Sequence, residues 1–223
     1  MKKNYVLGLV FVAALSLGVY FAMTPKSPNL MGPSFGAANA AVSGEADTSA
    51  VVDMVMGAED APITIIEYAS YTCPHCRSFH EKIFKQLETD YINTGKVLFT
   101  YREVYFDRPG LWASLVARCD GGNQKFFAIS DILYSKQSEW HKPGSSLAEV
   151  ASNLRQIGKA AGLSPNALQA CFSDGEKAKT LYAWYQEKAK ADGITSTPSI
   201  LVNGIKQDSI RTYEDLKQIL DAQ

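Results

Sequence analysis

The stretch Ile63-Thr-Ile-Ile-Glu-Tyr-Ala-Ser-Tyr-Thr-Cys-Pro-His-Cys76 decides the fold of this chain. Its first eight residues are mostly apolar, which is typical of a buried strand. After it, Cys76, Phe79 and Ile83 fall on one face of a helix. Cys73 therefore stands at a helix N-terminus, where unpaired backbone N–H groups and the helix dipole favour a thiolate. Two cysteines at this spacing can close as a disulfide or open as a dithiol.

The rest of the chain predicts further strands on either side of a helical block. Apolar alternation over 96–101 predicts a second core strand, and Ser199-Ile-Leu-Val202 followed by Asn203-Gly204 predicts a hairpin. Between about 108 and 191 the sequence carries several helix signals and no strand signal. One helix predicted there has an apolar face that begins at Leu147, and Thr212 is expected to cap a final helix. This order of elements predicts an α/β fold.

The first 50 residues differ from the remainder. Two lysines precede an uncharged apolar run from Tyr5 to Met23, which is typical of an export signal. The run is also long enough to span a bilayer, so a cleaved signal and an uncleaved anchor both stay open for residues 1–23. Residues 24–50 are rich in Pro, Gly, Ala and Ser and are expected to form a flexible linker. Residues 51–223 then remain as one folded domain.

Charge and cysteine content narrow the function. With 22 Lys and Arg against 23 Asp and Glu, and no basic cluster, the chain does not resemble a nucleic-acid-binding protein. An even number of cysteines in an exported chain favours disulfides, so we expect Cys119 and Cys171 to be bridged. Two buried free thiols are the alternative. No metal site is expected, because zinc needs four ligands and no second Cys/His pair has the spacing.

The order strand, C-P-H-C helix, strand, helical insertion, Thr-Pro, hairpin and final helix resembles the thioredoxin fold. With an insertion at about 108–191 in an exported chain, it resembles the DsbA family of periplasmic thiol-disulfide oxidoreductases, over most of residues 51–223. The resemblance implies a periplasmic enzyme that introduces disulfide bonds into reduced exported proteins. It also implies reoxidation by a DsbB-type membrane quinone reductase. We expect a monomer that needs no cofactor.

The resemblance also assigns roles within the tetrad. Cys73 is implied to be the exposed thiol that reacts with target proteins, with Pro74 in the first helical turn beside it. Cys76 lies on the apolar face and is expected to be the buried, resolving partner. The ring of His75 is expected to stabilise the Cys73 thiolate and so to adjust the redox potential. His80 and His141, by contrast, are expected to be surface or helix-face residues, with no partner visible from the sequence.

Two further features match the family. Glu67 lies in the predicted core strand, where a carboxylate is costly unless it is paired, hydrated or protonated. The resemblance implies that Glu67 exchanges protons with the buried cysteine; an edge position facing solvent is the alternative. Thr197-Pro198 resembles the family's cis-proline loop, which would bring the Thr197 backbone near Cys73, where it can pair with a substrate strand.

Three functions compete. Thr197 stands where the best-known oxidases carry Val, and it resembles the isomerase branch, so a disulfide isomerase or reductase is the first alternative. Such isomerases carry a dimerisation domain before the catalytic one, and residues 24–50 are too short and too polar for it, which favours an oxidase. A non-catalytic binding protein is the second alternative. The intact C-P-H-C tetrad with Glu67 and Pro198 argues against it.

Overall fold

A computed structural model describes residues 46–120 and 122–223. The predicted signal or anchor at 1–23 and most of the predicted linker at 24–50 lie outside these residues. Five strands and eight helices follow one another along the described chain. They are β1 (Met54–Met56), β2 (Ile63–Ala69), α1 (Pro74–Phe79, continuing through His80–Phe84, Lys85–Leu87 and Glu88–Ile92), β3 (Val97–Glu103), α2 (Arg108–Ala117), α3 (Asn123–Ser135), α4 (Gln137–Trp140), α5 (Leu147–Ala160), α6 (Pro165–Ser173), α7 (Gly175–Ala191), β4 (Ser199–Val202), β5 (Ile205–Gln207) and α8 (Tyr213–Asp221).

The sheet has the order β1-β3-β2-β4-β5, with β2 at its centre. β2 runs parallel to β3 and antiparallel to β4. Helix α1 makes the crossover between the two parallel strands, as parallel pairing requires. Glu67 on β2 is paired with Tyr101 on one side and with Ile200 on the other. The middle of β2 is therefore covered by a strand on each edge, and its carboxyl end points to the turn that carries Cys73.

The predicted fold class, a thioredoxin fold with an inserted helical subdomain, is confirmed. Helices α2 to α7 all lie between β3 and β4, and they occupy Arg108 to Ala191. Ser146 caps α5 in a capping box with Glu149, and Thr212 caps α8 in the same way with Asp215. These reciprocal bonds satisfy backbone N–H groups that a helix start leaves unpaired, which explains why both helices begin where the sequence predicts.

One expectation about α5 was wrong at its first turn. Val150, Leu154 and Ile157 are buried as predicted, but Leu147 is 43% exposed. Leu147 is the first residue of α5, so its side chain lies at the end of the apolar face, outside the core. Leu147 instead lines a groove beside Pro74.

The predicted second disulfide is present. Cys119, just after α2, is bonded to Cys171 in α6. The two cysteines are 52 residues apart in sequence, and their bridge links two helices of the insertion. Next to it, the Arg118 guanidinium donates two hydrogen bonds to the buried Glu103 carboxylate at the end of β3, at 2.6 and 2.7 Å. A bidentate pair of this kind satisfies both charges where neither reaches water.

Within the described residues, no helix combines the length and apolar character needed to cross a membrane.

Candidate active site

The turn between β2 and α1 places Cys73 at the first position before the helix. The Cys73 N–H donates to the Ser70 carbonyl oxygen at 3.1 Å, which closes the turn that leaves the strand. Cys73 is the N-cap residue of α1, in extended conformation, and Pro74 is the first helical residue. Proline suits this place because its missing N–H would have no helical partner. The Cys73 sulfur consequently occupies the place of a capping side-chain oxygen.

This placement stabilises the Cys73 thiolate. The pKa of Cys73 is lowered to about 5, first because the Cys76 thiol donates a hydrogen bond to the Cys73 sulfur. The backbone N–H groups of Cys76 and His75, the third and second residues of the helix, lower the pKa further, while partial burial opposes them. Helix starts leave these N–H groups unpaired, so an anion at the N-cap is well solvated by the backbone.

The two cysteines differ as expected from the sequence. Both are free thiols in this structure; Cys73 is half-buried and Cys76 is fully buried. Burial raises the pKa of Cys76 far above its ordinary value, and its hydrogen bond to Cys73 and the nearby Glu67 carboxyl raise it further. The dithiol therefore carries one thiolate, on Cys73, and one proton, on Cys76.

Glu67 lies in the interior of the sheet. It is 1% exposed, so the alternative of an edge position facing solvent is wrong. Neither of its carboxyl oxygens has a hydrogen-bond partner among the described residues. Burial, and then the Cys73 thiolate charge, raise the pKa of Glu67 to about 8. A buried carboxyl with no partner stays protonated at neutral pH, because ionisation would leave an unpaired charge in a low-dielectric site.

The Thr197–Pro198 loop lies next to Cys73. The peptide bond between these residues is cis, and the Thr197 carbonyl oxygen lies 3.5 Å from the Cys73 sulfur. The loop leads directly into β4, which pairs with β2. The strand order thus brings residues 124 positions apart in sequence into contact at the site.

Pro74 and His75 are both exposed beside Cys73. His75 lowers the Cys73 pKa through its backbone N–H. The role expected for its ring stays a prediction.

Gln137, at the start of α4, is a site residue that the sequence did not reveal. Its side-chain amide donates to the carbonyl oxygens of Tyr71 and Cys73, at 2.8 and 2.9 Å. Gln137 is 5% exposed, so these bonds are not exchanged with water. The insertion thereby holds the turn on both sides of Thr72. One glutamine in a helical block gives no sequence signal, because its partners are 64 and 66 residues away.

His80 lies on a helix face, as expected, and has a partner that the sequence did not reveal. His80 is buried one helical turn beyond Cys76, and its ring stacks on Phe84. Its Nε2 lies 3.2 Å from the Asp131 carboxylate on α3. The partner belongs to the insertion and was invisible in the local sequence. His141 is half-buried against the Trp140 ring.

No group of three or more His, Cys, Asp or Glu side chains that could hold a metal ion is found within residues 46–120 and 122–223.

The fold and the dithiol at a helix start define the class of thioredoxin-fold proteins with a redox-active cysteine pair. A family model described as Thioredoxin matches residues 49–222. The chain therefore belongs to the thioredoxin family, and the relatives and structures that it matches make it a DsbA-like member.

Two relatives illustrate the similarity. A Rickettsia bellii protein named as a protein-disulfide oxidoreductase is 36% identical over 157 residues, which cover 70% of this chain and 59% of the relative. The chain thus spans about three fifths of the length of this relative. Disulfide bond formation protein D of Bacillus subtilis is 29% identical over 191 residues, which cover 82% of this chain and 81% of that protein.

Solved structures agree on the fold. The crystal structure of alpha-DsbA1 from Wolbachia pipientis matches with a TM-score of 0.70 and 25% sequence identity, over 76% of this chain and 89% of that one. BdbD of Bacillus subtilis, in its oxidised form, matches with a TM-score of 0.66 and 23% identity over 76% of this chain and 91% of that one.

We expect the reactivity of Cys73 in the reduced protein to follow a titration with a midpoint near pH 5. The thiolate is the nucleophile, so alkylation by iodoacetamide should rise through this pH and then level off, while Cys76 stays unmodified. Peptide mapping after timed alkylation measures both. A Cys73 midpoint between pH 8 and 9, that of an ordinary thiol, would contradict this account of the site.

Glu67→Gln should stabilise the reduced protein in a pH-dependent way. The folded protein keeps a proton on Glu67 that the unfolded chain loses above about pH 4.5. The stability that the neutral carboxyl contributes is present below that pH and is lost as pH rises through about 8. Urea unfolding should show the variant and the wild type nearly equally stable at pH 4.5, with the free energy of unfolding of the variant higher by roughly 5 kcal/mol at pH 8.5. The exposed Glu59→Gln is the control, and it should show no such trend.

Gln137→Ala should weaken both the fold and the thiolate. It leaves the Tyr71 carbonyl buried without a donor, which costs about 1–3 kcal/mol in urea unfolding. A loosened turn also aims the helix N–H groups less well at Cys73, so its alkylation midpoint should rise above the wild-type value. Gln86→Ala removes an exposed amide that bonds within α1, and it should change neither quantity. An unchanged Cys73 midpoint in Gln137→Ala would reduce Gln137 to a structural residue.

Proposed function

We propose that this protein introduces disulfide bonds into exported proteins, with Cys73–Cys76 as its redox-active pair. The observation that carries the proposal is the division of roles between the cysteines: one stabilised thiolate at the helix start and one buried, protonated thiol. Stabilising the thiolate stabilises the reduced form, and a protein whose reduced form is favoured is a good disulfide donor. The named activities of the relatives support the same class of reaction.

The exchange runs in two steps. In the oxidised protein, a substrate thiolate attacks the Cys73 sulfur, a substrate–Cys73 disulfide forms, and Cys76 leaves as a thiolate. A second substrate thiolate then attacks the substrate sulfur of this mixed disulfide, and Cys73 leaves as a thiolate. Two electrons pass from the substrate dithiol to the protein. The low pKa of Cys73 makes it a good leaving group in the second step.

Glu67 serves the first step as a proton donor. Cys76 is fully buried, so its thiolate needs a proton soon after the disulfide opens. The Glu67 carboxyl, with a pKa of about 8, holds a proton at neutral pH and acts on Cys76 electrostatically. Glu67 then takes up a proton from solvent, because its pKa of about 8 keeps it protonated in the reduced protein at neutral pH. On reoxidation Cys76 gives up its proton to solvent before its sulfur forms the disulfide. A permanently ionised carboxylate at this place would oppose the Cys76 thiolate.

Thr197 and Pro198 form the substrate-binding side of the site. The backbone of this loop lies beside Cys73, so an extended substrate segment can pair with it in the manner of an added strand. Main-chain pairing is independent of side chains, which suits an enzyme that acts on many sequences. His75, exposed at the same edge, is placed to contact such a segment.

Export and reoxidation complete the proposal. The apolar run from Tyr5 to Met23 supports export to the periplasm, as a cleaved or an anchored form. The bridge between Cys119 and Cys171 suits an oxidising compartment. A DsbB-type membrane quinone reductase is the proposed acceptor of the two electrons that each turnover leaves on Cys73 and Cys76. We propose that the protein acts as a monomer and without a cofactor.

A disulfide isomerase or reductase of the same fold is the second candidate, because Thr197 precedes the cis-proline. The reduction potential of Cys73–Cys76 separates the two. We expect a value more oxidising than that of the glutathione pool, measured in glutathione buffers on the Cys119→Ser/Cys171→Ser variant. A value near that of thioredoxin would favour reductase or isomerase work.

Cys73→Ser should abolish the oxidation of a reduced two-cysteine peptide, because the sulfur that accepts the substrate thiolate is gone. The measurement uses the oxidised full chain in a non-ionic detergent and follows loss of peptide thiols. Circular dichroism should show that the variant is folded. The Cys119→Ser/Cys171→Ser variant keeps the redox pair and should retain oxidation. Undiminished oxidation by Cys73→Ser would refute the mechanism.

A further inference from the structure

Two grooves open on either side of Cys73. The first, the proline-loop groove, has a volume of about 300 Å³ and lies between α1 and the Thr197–Pro198 loop. Its polar lining includes His75, Lys82 and Arg211. Thr197 lines this groove and its carbonyl oxygen is 3.5 Å from the Cys73 sulfur, so one end of the groove lies beside the reacting atom.

The second, the insertion groove, has a volume of about 500 Å³ and lies between the start of α1 and the loop that joins α4 to α5. Thr72 and Pro74, the two neighbours of Cys73 in sequence, both line it. Its basic lining residues are Arg77, His141 and Lys142. A segment that is bonded to the Cys73 sulfur therefore has a groove available in each direction.

Both grooves are lined by basic side chains and, within the described residues, by no Asp or Glu. The whole chain has 22 Lys and Arg against 23 Asp and Glu, so an even distribution would place both signs there. Four Lys and Arg and two His side chains instead line the two grooves. The lining of both grooves is thus basic, although the net charge of the chain is −1.

Few carboxylates neutralise these cations. Of the four Lys and Arg side chains, only Arg77 has a carboxylate oxygen within 4 Å in the part of the chain that the structure describes: Glu81, at 3.9 Å. Glu149, near Lys142, already accepts hydrogen bonds from the Ser146 N–H and hydroxyl groups.

Asp215, near Arg211, is occupied in a similar way, because it accepts from the Arg211 and Thr212 N–H groups. Both of these carboxylates cap helices. Lys82 and Lys142 are exposed, and neither has a carboxylate oxygen within 4 Å among the described residues, so a ligand can pair with both.

We infer that the site prefers reduced substrate segments whose reacting cysteine is flanked on both sides by Asp or Glu residues. This inference rests on the proposed function, since it names the substrates of the same thiol exchange. When the substrate sulfur is bonded to Cys73, carboxylates a few residues before and after it lie over the two grooves. Two electrons pass to the Cys73–Cys76 disulfide as in any other substrate; the charges change only how fast the segment is captured.

The expected size of the preference is modest. An exposed ion pair changes binding by about 1.4- to 5-fold, so one pair in each groove gives roughly 2- to 25-fold in rate. Salt screens exposed charges, with a Debye length of about 8 Å at physiological ionic strength. The preference should therefore shrink as salt rises, which separates it from shape or apolar contacts.

The test compares three reduced two-cysteine peptides that differ only beside the reacting cysteine, where they carry Glu, Gln or Lys on both sides. The oxidised full chain in non-ionic detergent is mixed with each, and loss of peptide thiols is followed at 20 and 300 mM salt. Each rate is divided by the rate of the same peptide with 2-hydroxyethyl disulfide, an uncharged oxidant. This division removes the effect that neighbouring carboxylates have on the peptide's own thiol pKa.

We expect the normalised rates to fall in the order Glu, Gln, Lys at 20 mM salt and to converge at 300 mM. Lys82→Gln/Lys142→Gln removes one cation from each groove and should reduce the advantage of the Glu peptide over the Gln peptide. Lys159→Gln/Lys190→Gln removes the same charge from exposed sites outside both grooves and should leave the advantage as in the wild type.

Two further peptides carry Glu on one side only, and the single variants Lys82→Gln and Lys142→Gln each remove the cation of one groove. Each peptide should lose its rate advantage in only one of these two variants, which assigns each side of the cysteine to a groove. Equal normalised rates for the three peptides would overturn the inference and leave the proposed function intact. Equal losses of preference in the two double variants would also overturn it. Failure to oxidise even the Gln peptide would instead refute the proposed function.

Discussion

The site depends on the strand pairing of β2. Because β2 is held between β3 and β4, its carboxyl end is fixed, and the turn from Ser70 to Cys73 begins from a rigid edge. The fixed end of β2 determines where α1 begins and therefore the direction in which its first N–H groups point. The same geometry places the Cys76 thiol where it donates to the Cys73 sulfur, which is the first cause of the low Cys73 pKa, and the backbone N–H groups of Cys76 and His75 lower that pKa further. These groups are held in place and cannot reorient at low cost.

Two buried glutamates, one in β2 and one in the neighbouring β3, show two ways in which a carboxyl group can be accommodated away from water. Glu103, at the end of β3, accepts two hydrogen bonds from the Arg118 guanidinium in a bidentate pair. Glu67, in the middle of β2, has no partner among the described residues and stays neutral. A buried charge is tolerated when it is paired, and a buried acid without a partner keeps its proton. The first arrangement fastens the insertion to the sheet, and the second stores a proton beneath the dithiol.

The helical insertion is part of the site as well as a cover for the sheet. Gln137 holds the turn that carries Cys73, and the disulfide from Cys119 to Cys171 ties α2 to α6. His141 and Lys142 line one of the two grooves beside the reacting sulfur. The insertion therefore fixes the position of the nucleophile and also supplies part of the charge that an incoming segment meets.

The sequence by itself determined the elements of the fold, because periodicity, capping residues and the Asn203-Gly204 turn are local signals. It also identified Cys73, Cys76 and Glu67, since C-x-x-C at a strand–helix junction and an acid in an apolar strand stand out without coordinates. Only the tertiary structure showed that Gln137 contacts Cys73, that Asp131 partners a buried His80 and that Leu147 is exposed. These contacts join residues far apart in the chain or depend on how a helix is seated. They arise from tertiary packing, which local sequence patterns do not predict.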